Sequence, residues 1–304
     1  MKKIKGSIIL ILKGFLMGIC DIAPGISGGT IAFITGIYER LMNGIKGYPS
    51  ALFELLKSII KRNGKFKENF RKLDLLFFIP LGLGIITAFG LGANIIKFML
   101  EKHFAYTMSF FIGLILASSA VIYKEIKHHN LKNIMFGFIG LILGMSLSIA
   151  IPIKMNHSMP IIFLSGFLAI IAMLLPGIAG DFVLFILGQY EFMLNVFLNL
   201  RDNLKTFSVF LMGGILGALI SAKVISYLLK KYHAKTLYVL LGLVIGSLNI
   251  PIRRIYSSDF SLNLPNLTTM LFLLLLGITA VYIINKIAER YYHKDFIVID
   301  EKQH

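Results

Sequence analysis

Long apolar runs recur along the whole chain and alternate with short polar segments, most of them basic. A helix that crosses a membrane needs about 20 predominantly apolar residues. Runs near this length predict a linking span at about 133–153 and five others, at about 75–98, 105–123, 206–229, 236–250 and 267–285. The pattern therefore predicts an all-α polytopic membrane protein with a single transmembrane domain, residues 1–304.

Two pairs of shorter apolar segments are each interrupted by proline and glycine. The pairs are 6–22 with 29–45 and 160–175 with 181–199. Proline removes a backbone donor and glycine tolerates unwound backbone, so Pro24-Gly25 and Pro176-Gly177 are expected to break the helices. Because each segment is short for a full span, each pair is predicted to form a broken re-entrant helical hairpin or a tightly bent helix pair.

The two interrupted pairs are copies of one sequence. Residues 24–43 align with residues 176–195 without a gap, and ten of the twenty positions are identical, where chance gives about one or two. Outside the hairpins, Gly84 aligns with Gly213, and the segment 113–118 resembles 242–247. We therefore predict two repeats, each a hairpin plus two transmembrane helices. The predicted units are repeat 1 at 6–124 with a basic insertion at 46–74, the linking helix at 133–153, repeat 2 at 160–253, a last helix at 267–285 and a tail at 286–304.

The order of spans and the distribution of charge predict the orientation of the chain. Three spans separate the hairpins, so the hairpins enter from opposite faces and the repeat is inverted. The chain has 31 Lys and Arg, 15 Asp and Glu and a net charge of +16. With a cytoplasmic N-terminus, the inner segments carry 21 Lys and Arg and the outer loops six. The positive-inside rule therefore predicts cytoplasmic N- and C-termini, and the basic charge is expected to face membrane lipids, not nucleic acid.

The repeated tips are candidate anion-binding sites. A half-helix that begins inside the membrane directs free backbone N–H groups and the positive end of its dipole toward the midplane. Such helices are predicted to start near Gly28 and Gly180. Arg40 is expected either to meet a headgroup or to pair with Glu39, and the alternative for the whole motif is a simple helix kink. The candidate phosphate-binding residues are Pro24, Gly25, Ser27, Gly28, Gly29, Thr30, Arg40, Pro176, Gly177 and Gly180.

Four carboxylates are candidates for proton or ion coupling, because ionisable groups inside a membrane are costly and by default functional. Glu39 and Glu191 occupy matching positions of the repeat, and their alternative role is that of helix-end charges near headgroup water. Asp21 precedes the first tip, where it would bind a proton or cap backbone groups. Asp181 replaces Gly29 of the first copy, which predicts a proton-linked site or an N-cap.

Other kinds of site have little support in the sequence. The chain contains no Walker A loop, no G-x-S-x-G and no zinc motif, and its seven histidines lie in predicted loops, at span ends or in the tail. We therefore predict no catalytic residue, no metal site and no cofactor. The single Cys20 excludes an internal disulfide.

The repeated motifs resemble those of a known family. Asp21-x-x-Pro-Gly-x-Ser-Gly-Gly-Thr30 with Gly36-Ile-Tyr-Glu-Arg40, and Pro176-Gly-x-x-Gly with Gly188-x-Tyr-Glu191, resemble the bacterial polyprenyl-phosphate (undecaprenyl phosphate) transporter family, formerly a domain of unknown function. The resemblance extends from Gly14 to the last span. The second motif departs from the family pattern, Pro-Gly-x-Ser-Gly-Ser, at Ala179 and Asp181.

The resemblance implies a flippase in the bacterial cell membrane. It would return undecaprenyl phosphate from the outer to the cytoplasmic leaflet for reuse in cell-wall polymer synthesis. Because inward movement of an anionic headgroup opposes an inside-negative potential, we expect either coupling to protons or sodium or consumption of the lipid at the inner leaflet. Two alternatives stay open at this point. One is a membrane polyprenyl diphosphate phosphatase, although that family follows its tip serine with arginine and Gly28 follows Ser27 here. The other is a small-anion channel or carrier. The oligomeric state is also open, with a homodimer among the alternatives.

Overall fold

The structure, a computed structural model, describes residues 2–22, 27–61, 66–126, 129–147, 149, 153, 155–257 and 263–292. The first half of the chain contains α1 (Lys2–Ile22), α2 (Gly28–Ile34), α3 (Tyr38–Lys61), α4 (Phe66–Lys72), α5 (Leu75–Thr87), a π-helical turn (Ala88–Gly92), α6 (Ala93–Lys102), α7 (Phe104–Glu125) and α8 (Leu131–Leu147). The second half contains α9 (Met159–Leu174), α10 (Gly180–Ile186), α11 (Tyr190–Leu198), α12 (Leu204–Lys231), α13 (His233–Ser247), α14 (Asn249–Tyr256) and α15 (Leu264–Tyr292).

The long apolar helices confirm the predicted class, a multi-pass helical membrane protein. Within the described ranges, five stretches are long and apolar enough to cross a membrane: Leu75–Gly92, Phe104–Lys124, Leu204–Lys231, His233–Tyr256 and Leu264–Ile283. They coincide with the five spans predicted outside the linking helix. α8 and α9 are shorter apolar helices of 17 and 16 residues. α10 and α11 together are long enough for one further span, but they are bent by 119°.

The second arm of each hairpin is broken once more, which the sequence analysis did not predict. The arms expected at 29–45 and 181–199 are not continuous helices, because α2 ends before α3 and α10 ends before α11. Gly36 and Gly188 lie in these breaks with φ of 69° and 66°. Glycine adopts this left-handed conformation without the steric cost that a Cβ imposes. The tips α2 and α10 are therefore separate helices of two turns.

Glycines at the centre of helix pairs bring α1 close to α5, and α9 close to α12. A Cβ at Gly14 or Gly84 would lie 2.1 Å from a backbone oxygen of the facing helix. In the second copy, a Cβ at Gly166 would lie 2.1 Å, and one at Gly213 2.0 Å, from such an oxygen. Small residues allow membrane helices to pack backbone against backbone. The α1–α5 pair therefore has the same close backbone packing as the α9–α12 pair, and Gly84 and Gly213, which align in the sequence repeat, lie at equivalent contacts.

The linking helix, α8, and the last described helix, α15, each pack on the repeat that does not precede them in the chain. α8 follows the first copy but packs on α13 of the second, and α15 follows the second copy but packs on α7 of the first. Glycines again lie at the contacts: a Cβ at Gly113 would lie 2.1 Å from the oxygen of Leu274, and one at Gly140 would lie 2.1 Å from that of Val239. The packing therefore assigns α8 and α15 equivalent positions in the two halves.

Candidate functional site

The two hairpin tips meet inside the protein. The Ser27 hydroxyl donates a 2.9 Å hydrogen bond to the Met173 carbonyl oxygen, and the Tyr38 hydroxyl donates one of 3.0 Å to that of Leu174. In the opposite direction, the backbone N–H of Gly177 donates to the Thr30 hydroxyl oxygen at 2.9 Å. Ser27, Thr30 and Tyr38 are buried. The second arm of repeat 1 consists of α2 and α3, and the start of each of these helices is thus hydrogen-bonded to the first arm or the tip of repeat 2.

The first tip helix begins at Gly28, as the sequence predicts, but its N-terminal N–H groups are bonded within the protein. The N–H of Gly28 donates to Asp21 Oδ1 at 2.6 Å, and that of Gly29 to Ser27 Oγ at 3.1 Å. The N–H of Thr30 donates to the carbonyl oxygen of Ser27 at 2.9 Å. The expectation of free N–H groups at this tip is therefore wrong. Ser27 is the N-cap, and Asp21 supplies an anion to the helix end.

The second tip helix begins at Gly180, also as predicted, and is built differently. Its N-cap position is Ala179, whose side chain has no hydrogen-bond acceptor. The alternative of Asp181 as the N-cap is wrong, because Asp181 lies in the first turn of α10, after Gly180. Pro176 and Gly177 are buried, and Gly177 has φ of 90°. A Cβ at Gly177 would lie 2.8 Å from Val244 Cα, so this turn lies directly against α13.

A cavity of about 350 Å³ lies between the end of α1 and the second hairpin. Asp21, Asp181 and Tyr190 supply its polar side chains, and Ala179 and Gly180 of the second tip line it as well. The other lining residues are apolar and are Phe89, Ala169, Ile170, Met173, Leu184, Met193, Leu194, Phe197 and Phe210. Because Asp21 and Asp181 line the same cavity, their carboxylates repel each other when both are ionised. Protons, cations or the donors of a bound ligand would relieve that repulsion.

Arg40 does not pair with Glu39, contrary to one of the alternatives drawn from the sequence. Its guanidinium binds the Asp74 carboxylate through two hydrogen bonds of 2.8 and 2.9 Å and lies 4.6 Å from the centre of the Phe77 ring. The Arg40 and Asp74 side chains are 47% and 34% exposed. Glu39 pairs instead with His233 at 3.0 Å. The structure thus joins Arg40 to the start of α5 and not to the cavity.

The predicted coupling residues fall into two groups. Asp21 and Asp181 line the cavity. Glu39 and Glu191 lie in the first turns of α3 and α11, are exposed, and are not among the residues that line it. Pro24 and Gly25, which the motif includes, lie outside the described residues, as does the tail beyond residue 292. Among the residues described, no group of His, Cys, Asp and Glu is arranged to hold a metal ion.

Lys13 is a polar residue of the tip region that the candidate set missed. It lies in α1 with 2% of its surface exposed, and its ammonium donates a 2.6 Å hydrogen bond to the carbonyl oxygen of Thr35. Thr35 caps the C-terminal end of α2, where a cation is favourable for the helix dipole. A lysine in the middle of the apolar run 6–22 was the signal in the sequence. Asp21 and Lys13 therefore place opposite charges at the two ends of α2.

Comparisons with known proteins identify relatives over most of the chain. The model of the VCA0040-like family, described as undecaprenyl phosphate translocase-like, matches residues 17–263. A polyprenyl-phosphate transporter of Vibrio cholerae serotype O1 is 35% identical over 242 residues, which cover 78% of this chain and 75% of the relative. A polyprenyl-phosphate transporter of Staphylococcus aureus is 33% identical over 257 residues, covering 79% of this chain and 84% of the relative. No solved structure matches significantly. The chain belongs to the undecaprenyl phosphate translocase-like family.

Proposed function

We propose that this protein is a flippase for undecaprenyl phosphate in the bacterial cytoplasmic membrane. The observation that carries the proposal is the family membership, with two relatives named polyprenyl-phosphate transporter that align over most of both chains. The proposed direction is from the outer to the cytoplasmic leaflet, which returns the lipid for reuse in cell-wall polymer synthesis. The positive-inside distribution of Lys and Arg supports cytoplasmic termini for this orientation.

The geometry of the tips fits the two parts of this substrate. The headgroup is an anion and needs polar partners on its way across the membrane, because an unpaired charge in the hydrocarbon region is costly. The cavity between α1 and the second hairpin offers the Tyr190 hydroxyl next to apolar walls, and Asp21 and Asp181 become hydrogen-bond donors there once they are protonated. The prenyl tail is apolar and needs no polar route. We therefore propose that the headgroup binds at the tips while the tail stays in lipid.

In this scheme the Asp21 carboxylate occupies the N-terminal end of α2, where the phosphate of the substrate would bind. Its carboxylate accepts the N–H of Gly28 at 2.6 Å, and a helix N-terminus favours one anion at a time because two anions repel. Protonation of Asp21 removes its charge and leaves the helix end to the substrate. Asp181, on the same cavity, is proposed to respond to the proton in the same way. In this scheme Asp21 and Asp181 are the coupling residues, and Glu39 and Glu191 are not.

Proton coupling also solves an energetic difficulty of the proposed direction. Moving a negative headgroup inward opposes an inside-negative potential by about 2.3 kcal/mol per charge for each 100 mV. Protons that travel with the phosphate cancel part of that charge. Sodium ions would have the same effect, and consumption of the lipid at the inner leaflet would also draw the transport inward.

The test is transport by purified protein in liposomes. We would follow transbilayer movement of a short-chain polyprenyl phosphate and, in parallel, release of inorganic phosphate from the diphosphate. The proposal expects movement without phosphate release, with a pH dependence that is weaker in Asp181→Asn than in the wild type and unchanged in Glu191→Gln. Glu191 is the matched control because it lies on the neighbouring helix but does not line the cavity. Phosphate release would instead identify a phosphatase, and uptake of a small soluble anion without lipid movement would identify a channel or carrier.

A further inference from the structure

The second half of α3 has three distinct faces. Ala51, Leu55 and Ser58 are buried. Ala51 and Leu55 belong to a cluster with Leu73 and Leu75, which lie between α4 and the start of α5. Two interactions join α3 to α4. The Lys72 ammonium binds the Glu54 carboxylate at 2.7 Å, and the Asn69 side chain donates a hydrogen bond to the Glu54 carbonyl oxygen at 3.1 Å. A polar face carries Ser50, Glu54 and Lys57, which are exposed. The remaining face is apolar.

The apolar face of α3 is exposed. Its residues recur three and four positions apart, as the members of one helix face do, and are Leu52, Phe53, Leu56, Ile59 and Ile60. Phe53 is 67% and Ile60 81% exposed. On α4, the exposed rings of Phe66 and Phe70 stack with their centres 5.8 Å apart. We call these seven side chains, with the basic residues between them, the α3–α4 surface. Nothing in the described part of the chain covers it.

The charge around this surface is strongly positive. Residues 46–72 contain eight Lys and Arg and two Glu. Both glutamates lie near Lys72, with Glu54 at 2.7 Å and Glu68 at 3.9 Å from its ammonium, so they offset little of the charge of Lys57, Lys67 and Arg71. An apolar face flanked by exposed lysine and arginine is the composition of helices that lie in the headgroup region of anionic membranes.

We propose that the α3–α4 surface lies on an anionic lipid surface, with its apolar side chains among the acyl chains and its basic side chains among the headgroups. Two features favour lipid over a protein partner. The surface is complementary to lipid in both respects, apolar contact and charge. It is also joined at both ends to the membrane domain, since α3 begins at the buried Tyr38 and the span after α4 begins at Leu75. The proposal does not depend on the transported substrate.

This placement would connect the membrane surface with the hairpin tips. The first residue of α3, Tyr38, donates its hydroxyl hydrogen bond to Leu174 at the end of α9. The same helix continues to the exposed Ile60. If the second half of α3 is bound to lipid headgroups, the position of its first residue, Tyr38, is restrained as well. The depth in the bilayer at which the tips of the two repeats meet is thereby restrained.

The experiment uses the absence of tryptophan from the chain. We would prepare full-length Ile60→Trp and, as the matched control, Lys57→Trp, in vesicles of phosphatidylcholine with and without phosphatidylglycerol. Fluorescence would be quenched either by lipids brominated on their acyl chains or by aqueous iodide. We expect bromolipid to quench Ile60→Trp about threefold or more above Lys57→Trp, with the opposite order for iodide, because only the apolar face enters the bilayer.

The role of charge is tested by the lipid composition. Bromolipid quenching of Ile60→Trp should rise with phosphatidylglycerol, and the additional changes Lys67→Glu and Arg71→Glu should abolish that rise. Equal iodide access to both tryptophans would overturn the proposal. So would an Ile60→Trp that is protected from iodide but not quenched by bromolipid, since that result indicates contact with a second protein copy.

Discussion

The carboxylate of Asp21 accepts a hydrogen bond of 2.6 Å from the backbone N–H of Gly28. The first tip helix therefore starts on an anion that belongs to the protein itself. In copy 2 the equivalent helix has Ala179 at the N-cap and Asp181 in its first turn. The repeat thus has one carboxylate near each tip, supplied from different positions in the sequence.

Replacing Asp21 by asparagine should change the pH dependence of transport. In the proposed scheme the neutral acid is the competent form, so wild-type transport falls as pH rises and Asp21 loses its proton. The fall should approach about tenfold per pH unit for one titrating group. Asparagine carries no charge and corresponds to the protonated acid, so Asp21→Asn should be active. Its pH profile should be flatter than that of the wild type, because Asp181 still titrates. Transport in liposomes over a series of pH values measures this.

Glu39→Gln is the control for Asp21→Asn. Glu39 is exposed and bound to His233, so its removal should leave the pH profile of the wild type. A flat profile in Glu39→Gln, or an unchanged profile in Asp21→Asn, would contradict the role assigned to Asp21.

Thr30→Val should weaken the contact between the two tips. The Thr30 hydroxyl accepts the backbone N–H of Gly177, and valine has a similar shape but no acceptor. A buried donor left without a partner costs about 1–3 kcal/mol, so thermal unfolding of the purified protein should occur at lower temperature and transport should be slower. Thr30→Ser keeps the hydroxyl and should behave nearly as the wild type. Equal behaviour of the valine and serine variants would show that the hydrogen bond contributes little.

Gly84→Ala should destabilise the pair formed by α1 and α5. Its Cβ would lie 2.1 Å from the carbonyl oxygen of Ile11, which forces the two backbones apart. Overpacking of this kind costs about 1–3 kcal/mol, and the unfolding temperature in detergent reports it. Gly82 lies in the same helix, and a Cβ there would meet nothing within 4 Å. Gly82→Ala should therefore be neutral, and similar losses in both variants would argue against the close crossing.

Arg40 and Asp74 should behave as one unit. Because the guanidinium donates two hydrogen bonds to Asp74, we expect Arg40→Ala and Asp74→Ala to reduce transport equally, with no further loss in the double variant. Their effect on stability should be at most about 1 kcal/mol, since the pair is partly exposed. A direct contact between Arg40 and the phosphate predicts a different result, in which Arg40→Ala is far more damaging than Asp74→Ala.

Much of the architecture follows from the sequence. Apolar runs predict the spans because lipid requires long helices, and the alignment of two Pro-Gly motifs predicts helix starts near Gly28 and Gly180, where α2 and α10 begin. The second break in each arm was not predicted. Gly36 and Gly188 are identical in the alignment, but identity alone does not reveal a positive φ.

Contacts between distant segments were beyond the sequence analysis. The partner of Arg40 is 34 residues away, and its choice depends on how α3 is placed against α5. The donor to Thr30 is 147 residues away. The equivalence of α8 and α15 was missed because each packs on the other repeat, so their relation appears only once the helices are assembled.

The packing of α8 and α15 on the opposite repeats has a consequence for how the protein is made. α7 leaves the ribosome early, yet the helix that covers its glycine face is α15, the last helix that the structure describes. During synthesis Gly113 must therefore face lipid or a helper protein until Leu274 arrives. Loss of α15 would leave an early, already inserted helix uncovered, so a stop codon before α15 would damage the first half of the protein.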